Sequence, residues 1–275
     1  MGVPVVWSLC ALDRDGRVIE EIEADRVQST ASIGKIFLLC EVAERLVDGR
    51  LDPDAPIRRD PGVAVADSGL WQHLRQSELP VADACLLVAA VSDNWATNVL
   101  LDLIGLESVG ARAEALGCRH SGLHDRVRDL RTADDPPSLS TGTARELAEV
   151  ARRIHVAASG GEDGGISGHA ARLVEKWLLT GVDLSMVAAP FHLDPLAHAD
   201  EPDRAGCADP PDRLVRLWSK TGTDVRVRAD SGVVWIEADM VSYAAIATWD
   251  ADDDALDDAM DRMHAFGASL ASRMW

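Results

Sequence analysis

Strand-like segments lie at both ends of this sequence, and helix-like segments lie between them. Five segments have the length and the apolar or β-branched composition of strands: residues 3–13, 17–25, 214–222, 231–240 and 242–250. The first two flank a glycine-bearing turn at residues 14–16, which is typical of a β-hairpin. A chain with strands in both its first and its last part can bury them in one antiparallel sheet, so its middle becomes an inserted unit.

The spacing of apolar residues predicts that the inserted unit is helical. Apolar residues recur at helical spacing in five stretches of the middle region: residues 81–91, 94–105, 107–117, 143–154 and 165–180. An earlier buried helix runs from Ser32 to Leu46, and an acidic amphipathic helix ends the chain. These elements predict an α+β fold, an α/β-α sandwich in which helices flank an antiparallel sheet of about five strands.

This order of elements divides the chain into two expected subdomains. Residues 1–50 and 213–275 would form the sheet-plus-helix subdomain, and residues 51–212 would form the mainly helical one. Two polar, proline-bearing stretches show no period. Residues 120–141 predict a long surface loop, and residues 192–212 predict an acidic, mobile excursion.

The charge of the chain restricts its partners. The formal net charge of −19 argues against nucleic acid, because phosphate binding needs clusters of lysine and arginine. No stretch approaches the roughly 18 consecutive apolar residues that a membrane span requires. We therefore expect a small-molecule substrate, no nucleic acid, no membrane contact, and a monomer or weak dimer.

Cysteine usage and the N-terminal sequence give two further expectations. The five cysteines are widely spread, and three lie in apolar runs, which predicts buried free thiols. No CxxC spacing occurs in the sequence, and we expect no metal and no cofactor. The first residues lack a basic segment followed by a long apolar one, which predicts a cytoplasmic protein; a longer natural N-terminus would instead allow export.

Three short motifs occur in order: SxxK at residues 32–35, SDN at residues 92–94 and KTG at residues 220–222. Each is weak alone, since short matches arise by chance. Their combination is stronger, because the chain holds only three lysines and two of them, Lys35 and Lys220, complete motifs. A lysine amine has a tunable pKa, whereas arginine stays protonated, which favours a chemical role for these two residues.

The position of each motif suits acyl-transfer chemistry. SxxK opens a buried helix, so the offset of three residues places Ser32 Oγ and Lys35 Nζ on one face, within reach of one hydrogen bond. SDN precedes the helix at residues 94–105, and KTG lies on a strand. We expect the active site to lie between the two subdomains.

These motifs, together with residues 67–74 and 91–105, resemble those of class A β-lactamases and related penicillin-recognising serine hydrolases. The resemblance spans nearly the whole chain. It implies that Ser32 is the nucleophile, that Lys35 accepts its proton and that Ser92 passes a proton to the leaving nitrogen. It places Lys220 with these catalytic residues, and the other residues that it implicates bind substrate: Asn94, Thr221, Gly222, Thr223 and Arg228.

The resemblance also implies finer roles for several of these residues. Asn94 would hydrogen-bond the substrate amide, and Asp93 would be structural. Lys220 and Thr221 would hold the substrate carboxylate with help from Arg228. The backbone N–H groups of Ser32 and Thr223 would form the oxyanion hole.

The sequence departs from the family where a glutamate would activate the deacylating water. Residues 124–141 contain no glutamate, and Asp129 lies nearest the expected position. Asp129 could position a water molecule, although its side chain is one methylene shorter. The alternative is a salt bridge within the loop, to Arg126 or Arg131.

Three functions remain open on this basis. The first is a β-lactamase-like serine hydrolase, in which Ser32 is acylated by a β-lactam or a related amide or ester and then hydrolysed. The second is a peptidase, esterase or metabolite-tailoring hydrolase of the same fold. The third is a penicillin-binding sensor that stays acylated.

Overall fold

The computed structural model describes residues 5–66, 68–161, 164–197, 215–250 and 255–274. The strands in these ranges are β1 (Val6–Asp13), β2 (Val18–Ile22), β3 (Gln28–Ser29), β4 (Pro56–Arg58), β5 (Glu78–Pro80), β6 (Gly122–Leu123), β7 (Ser140–Gly142), β8 (Arg216–Asp224), β9 (Val227–Ile236) and β10 (Asp239–Thr248). The α-helices are α1 (Lys35–Val47), α2 (Val81–Val91), α3 (Asn94–Ile104), α4 (Leu106–Ala115), α5 (Ala144–Ala158), α6 (Gly168–Leu178) and α7 (Ala255–Met274).

Strands from both chain ends form one five-stranded sheet in the order β2-β1-β10-β9-β8. Every neighbouring pair is antiparallel, and β1 joins the C-terminal strands through pairs such as Cys10 with Ala244. The predicted fold class is therefore confirmed. Strand β8, which carries the KTG motif, lies at an edge of this sheet, where one side of its backbone is free to face a cleft.

Helices cover both faces of the sheet because its strands are apolar on both sides. On one face, α7 buries Met263, Phe266 and Leu270 against the sheet, and Phe266 meets Tyr243 edge-on. On the other face, α5 packs on β1, β9 and β10, with α6 and α1 beyond it. The division into two subdomains at residues 50 and 213 stays a prediction.

The helix predicted from Ser32 divides into two parts. Residues Ala31–Gly34 form a 3₁₀ turn, and α1 begins only at Lys35. Ala31 adopts a φ of +47°, which interrupts regular helical geometry just before the serine. Ser32 thus lies in a tight turn ahead of the α-helix.

The sequence analysis missed the short strands β4 to β7 in the inserted unit, and β3 in the N-terminal part of the chain. Strands β3, β7 and β6 form a small sheet, and β4 pairs with β5. These strands are two or three residues long, too short to show an alternating pattern.

The structure also bears on the predictions for the cysteines, the acidic excursion and membrane spans. Four cysteines are buried free thiols: Cys10, Cys40, Cys85 and Cys118. Cys207 and most of the predicted excursion at residues 192–212 lie outside the described residues. Within the described ranges, no helix has the length and apolar character needed to cross a membrane.

Candidate active site

The three motifs meet in one cleft of about 730 Å³. The 3₁₀ turn contributes Ser32, the corner between α2 and α3 contributes Ser92 and Asn94, and the edge strand β8 contributes Lys220. Thr221 and Thr223 of β8 and Arg228 of β9 line the same cleft. Residues far apart in the sequence are therefore brought together, as the motif analysis predicted.

The SDN motif forms a sharp corner between two helices. Ser92 adopts the left-handed conformation, with φ of 55° and ψ of 35°, and ends α2. Asp93 then caps α3, because its Oδ1 accepts a hydrogen bond from the N–H of Ala96 at 2.9 Å. Its Oδ2 accepts two more backbone hydrogen bonds, from Leu70 at 2.7 Å and Trp71 at 2.8 Å. Asp93 is thus fully used in holding the corner.

Lys35 is completely buried beneath this corner. Its Nζ donates to the backbone oxygen of Ser92 at 2.7 Å and to Asn94 Oδ1 at 2.8 Å, and it lies 3.2 Å from Ser92 Oγ. Burial lowers the pKa of the Lys35 amine well below its ordinary value, and the positive charge of Lys220 lowers this pKa further, against the opposite effect of Asp93. The amine is therefore poised to accept a proton.

Lys220 approaches the same hydroxyl from the sheet. Its Nζ donates to Ser92 Oγ at 3.0 Å and to the backbone oxygen of Thr221 at 2.9 Å. Burial lowers the pKa of Lys220 to about 8, although the carboxylates of Asp183 and Asp230 raise it. Ser92 Oγ thus lies between two amines whose proton affinities differ.

The predicted hydrogen bond between Ser32 and Lys35 is not formed. Within the described residues, the half-buried Ser32 hydroxyl has no hydrogen-bond partner, and the contacts of Lys35 go to Ser92 and Asn94. The reason is the left-handed turn at Ser92, which directs both its carbonyl and its hydroxyl at the amine. Ser32 therefore lines the cleft, while Lys35 is held by the SDN corner.

Gly222 has a different role from the substrate-binding one that was predicted. A Cβ at this position would lie 2.2 Å from the carbonyl oxygen of Thr30 and 3.2 Å from the backbone nitrogen of Ser32. Gly222 is also not among the residues that line the cleft. It serves the site by letting β8 close against the turn that carries Ser32.

Asn94 lines the cleft and is also held within the protein. Its Oδ1 accepts from Lys35, and its Nδ2 donates to the backbone oxygen of Ala66 at 3.1 Å, so both ends of the amide are bound within the protein. Asn94 thus orients the amine of Lys35, and its contact with substrate stays a prediction.

The expected roles of Asp129 find no support in its position. This aspartate is exposed, does not line the cleft, and accepts a hydrogen bond from the N–H of Ala66 at 3.0 Å. The loop salt bridge belongs to Asp125, which binds Arg128 and Arg131 at 2.7 and 2.6 Å. Among the described residues Asp129 forms no salt bridge, because the guanidinium groups of Arg128 and Arg131 both bind the buried Asp125.

Asn98 fixes the loop wall of the cleft and was missed. Its Oδ1 accepts from the N–H of Val127 at 2.8 Å, and its Nδ2 donates to the carbonyl of Val127 at 2.9 Å and to that of Val63 at 3.2 Å. It lies one turn after Asn94 in α3, and this repeat of asparagine was the available signal. Asn98 thereby places Val127, an apolar residue, in the cleft wall.

Two acids near Lys220 were also missed. Asp183 lines the cleft, and Asp230 is buried in β9, where its Oδ2 accepts from the N–H of Val187 at 2.9 Å. Burial, together with the nearby charge of Asp183, raises the pKa of Asp230 to about 7. Neither acid lies in a recognisable motif, so only their spatial position identifies them.

Sequence comparison agrees with this geometry. Residues 3–271, nearly the whole chain, match the Beta-lactamase enzyme family. This chain belongs to that family. No curated protein matches the chain.

Solved structures show the same fold as this beta-lactamase family member. A beta-lactamase from Sphaerobacter thermophilus DSM 20745 superposes with a TM-score of 0.78 at 21% identity, covering 99% of this chain and 94% of that one. PBP-A superposes with a TM-score of 0.76 at 17% identity, covering 98% and 89%. The chromosome-encoded beta-lactamase of Vibrio parahaemolyticus gives 0.75 at 16% identity, covering 98% and 93%. The predicted family resemblance is confirmed.

Asp129 should support this family member's active site indirectly. Its hydrogen bond fixes Ala66, whose carbonyl accepts from Asn94, which in turn orients Lys35. Removing one such bond costs about 1 kcal/mol, so Asp129→Ala should slow acylation by a penicillin about fivefold. The second-order acylation rate constant measures this effect. Asp134→Ala removes an exposed acid from the same loop and should leave the rate within about twofold; equal rates for both variants would contradict the role of Asp129.

Proposed function

We propose that Ser32 forms an acyl-enzyme with a β-lactam or a related amide or ester, and that water releases this acyl group slowly. The observation that carries the proposal is the position of Ser92 Oγ, 3.2 Å from Nζ of Lys35 and 3.0 Å from Nζ of Lys220. Two amines of different proton affinity on one hydroxyl form a proton path beside the nucleophile.

The contacts of Lys35 suit a neutral amine. The backbone oxygen of Ser92 and Oδ1 of Asn94 can only accept, so they take the two N–H groups of a neutral amine. The lone pair then faces the hydroxyl of Ser92, while the ammonium of Lys220 donates to the same oxygen. In this arrangement a charged Lys220 donates to Ser92 Oγ and a neutral Lys35 accepts from it, so both draw the hydroxyl proton of Ser92 toward Lys35.

The acylation step follows from this arrangement. Ser32 Oγ attacks the carbonyl carbon to form a tetrahedral intermediate, and its proton passes to Lys35. The C–N bond of the amide then breaks and leaves an ester on Ser32, while the departing nitrogen takes the proton of the Ser92 hydroxyl, which Lys35 restores. Lys220, Thr221 and Arg228 would hold a carboxylate of the substrate, and the N–H groups of Ser32 and Thr223 would stabilise the oxyanion.

Slow hydrolysis is inferred from the loop wall of the cleft. The described residues that the loop contributes to this wall are Val127, Arg128, Arg131 and Leu139, none of which can take a proton from water at neutral pH. The loop acid Asp125 is bound by arginines, and Asp129 faces Ala66. The same acylation geometry would accept esters and peptides, for which a different acyl acceptor could replace water.

Intact-mass measurement after incubation with benzylpenicillin tests the proposal. The wild-type protein should gain the mass of one penicillin and keep it for minutes or longer, whereas Ser32→Ala should gain none. An adduct on the alanine variant would remove Ser32 from its role. Fast steady-state turnover of a chromogenic cephalosporin would instead show that water has an efficient activating group.

The acylation rate should depend on pH in a bell shape. It should rise with pH as Lys35 loses its proton, at a pKa well below that of an ordinary lysine. It should fall as Lys220 loses its charge, near pH 8. Rate constants between pH 5 and 10 test this, and Lys220→Arg should move the falling limb above pH 10 because arginine stays protonated. A wild-type rate that still rises beyond pH 9 would contradict the assignment.

A further inference from the structure

The cleft is cationic in a protein whose formal net charge is −19. Four cationic side chains line it, two from β8 and β9 (Lys220 and Arg228) and two from the loop between β6 and β7 (Arg128 and Arg131). The described acids in the same lining are Asp183 and Asp224. Low-dielectric walls concentrate such a field, so the cleft should attract anions that the remaining surface repels.

The two loop arginines are held from behind by a single buried acid. Asp125 accepts from Arg128 Nε at 2.7 Å and Nη2 at 3.1 Å, and from Arg131 Nη1 at 2.6 Å. Arg128 Nη1 also lies 3.2 Å from Asp135 Oδ1. The pairing fixes both guanidinium groups at the cleft wall, while Asp125 itself is not part of that wall.

Arg131 keeps donors for a further ligand. Its Nη1 also donates to the carbonyl of Pro136 at 3.0 Å, and its Nη2 donates to the carbonyl of Arg126 at 3.4 Å. Its Nε has no acceptor among the described residues. A guanidinium offers five N–H groups in a planar fork, so Arg131 can still donate through Nε and the second N–H of Nη2.

The two cationic pairs come from different elements around the turn of Ser32. This turn packs on β8 and β9, which carry Lys220 and Arg228, and also on β7, at the end of the loop that carries Arg128 and Arg131. Resting on the proposed function, we propose that the preferred substrate is dianionic: one carboxylate binds at Lys220 and Arg228, and a second acidic group on the acyl side chain binds at Arg131 and Arg128. The second group would lie beside Val127, an apolar residue of the cleft wall that brings no competing negative charge.

Two penicillins that differ by one carboxylate test this inference. At low salt, the wild-type protein should be acylated by α-carboxybenzylpenicillin about tenfold faster than by benzylpenicillin, because a charge-assisted bidentate contact forms only with the former. The ratio should fall as salt is added. Arg131→Gln should reduce the ratio to about one, and Arg131→Lys, which keeps the charge without the fork, should give an intermediate value.

Arg126→Gln is the matched control, because Arg126 pairs with Asp102 at 3.0 Å and does not line the cleft. It should keep the wild-type ratio. Equal wild-type rates for the two penicillins, or a preference that survives Arg131→Gln, would overturn the inference. Failure of both penicillins to acylate the wild-type protein would refute the proposed function instead, so the two outcomes are distinguishable.

Discussion

Replacing Lys35 with methionine should lower the acylation rate by about a thousandfold while the protein remains folded. A positioned general base contributes about 10² to 10⁴ in rate, and methionine fills a similar volume without a basic atom. The cost to folding should be small, since the substitution leaves two carbonyl oxygens without a donor but also removes a buried amine. Stopped-flow or intact-mass kinetics with a penicillin measure the loss, and thermal unfolding measures the folded fraction.

Lys176 provides the matched control for this experiment. It is the remaining lysine of the chain and is exposed on α6. Lys176→Met should keep both the acylation rate and its pH dependence. If Lys35→Met retained a tenth or more of the wild-type rate, the proton of Ser32 would have to leave by another path.

Replacing Val127 with glutamate should speed release of the acyl group by about a hundredfold or more. Asn98 holds the backbone of Val127 on both sides, so a side chain at this position lines the cleft. A carboxylate there could accept a proton from water attacking the ester of Ser32. The neighbouring Arg128 and Arg131 would favour its ionised form. Loss of the persistent mass adduct and appearance of steady-state turnover measure the gain.

Val127→Gln tests whether the effect of glutamate comes from its basic carboxylate or from its size and shape. Glutamine has nearly the same size but cannot accept the proton, so this variant should keep the long-lived adduct. Equal deacylation rates for the glutamate and glutamine variants would show that the loop wall does not limit hydrolysis.

Much of the fold could be predicted because burial leaves a periodic trace in the sequence. Helix α2 was predicted with its observed bounds, and α3 and the C-terminal strands were predicted within a few residues. The short strands β3 to β7 left no such trace, because two or three residues cannot display alternation. The 3₁₀ turn at Ser32 was missed for a related reason, since a turn of four residues resembles the start of a helix.

The candidate site was predictable only as a set of residues. The sequence indicated which serines and lysines belong together, but it could not indicate that Lys35 would contact Ser92 and Asn94 while Ser32 stands apart. It also favoured Asp129 as a water-activating or salt-bridging acid, whereas the structure uses it to fix Ala66.

By itself, the sequence determined the order of the long strands and the α-helices, the pairing of strands from both parts of the chain in one sheet, and the identity of the groups available for chemistry. Only the tertiary structure decided the pKa values and the hydrogen-bond partners of those groups. The contacts that set them join residues 57 and 128 positions apart, as between Ser92 and its two lysines. Periodicity reports which face of an element is buried, but a pKa or a hydrogen bond depends on atoms from other elements, whose positions are fixed only when the chain is folded.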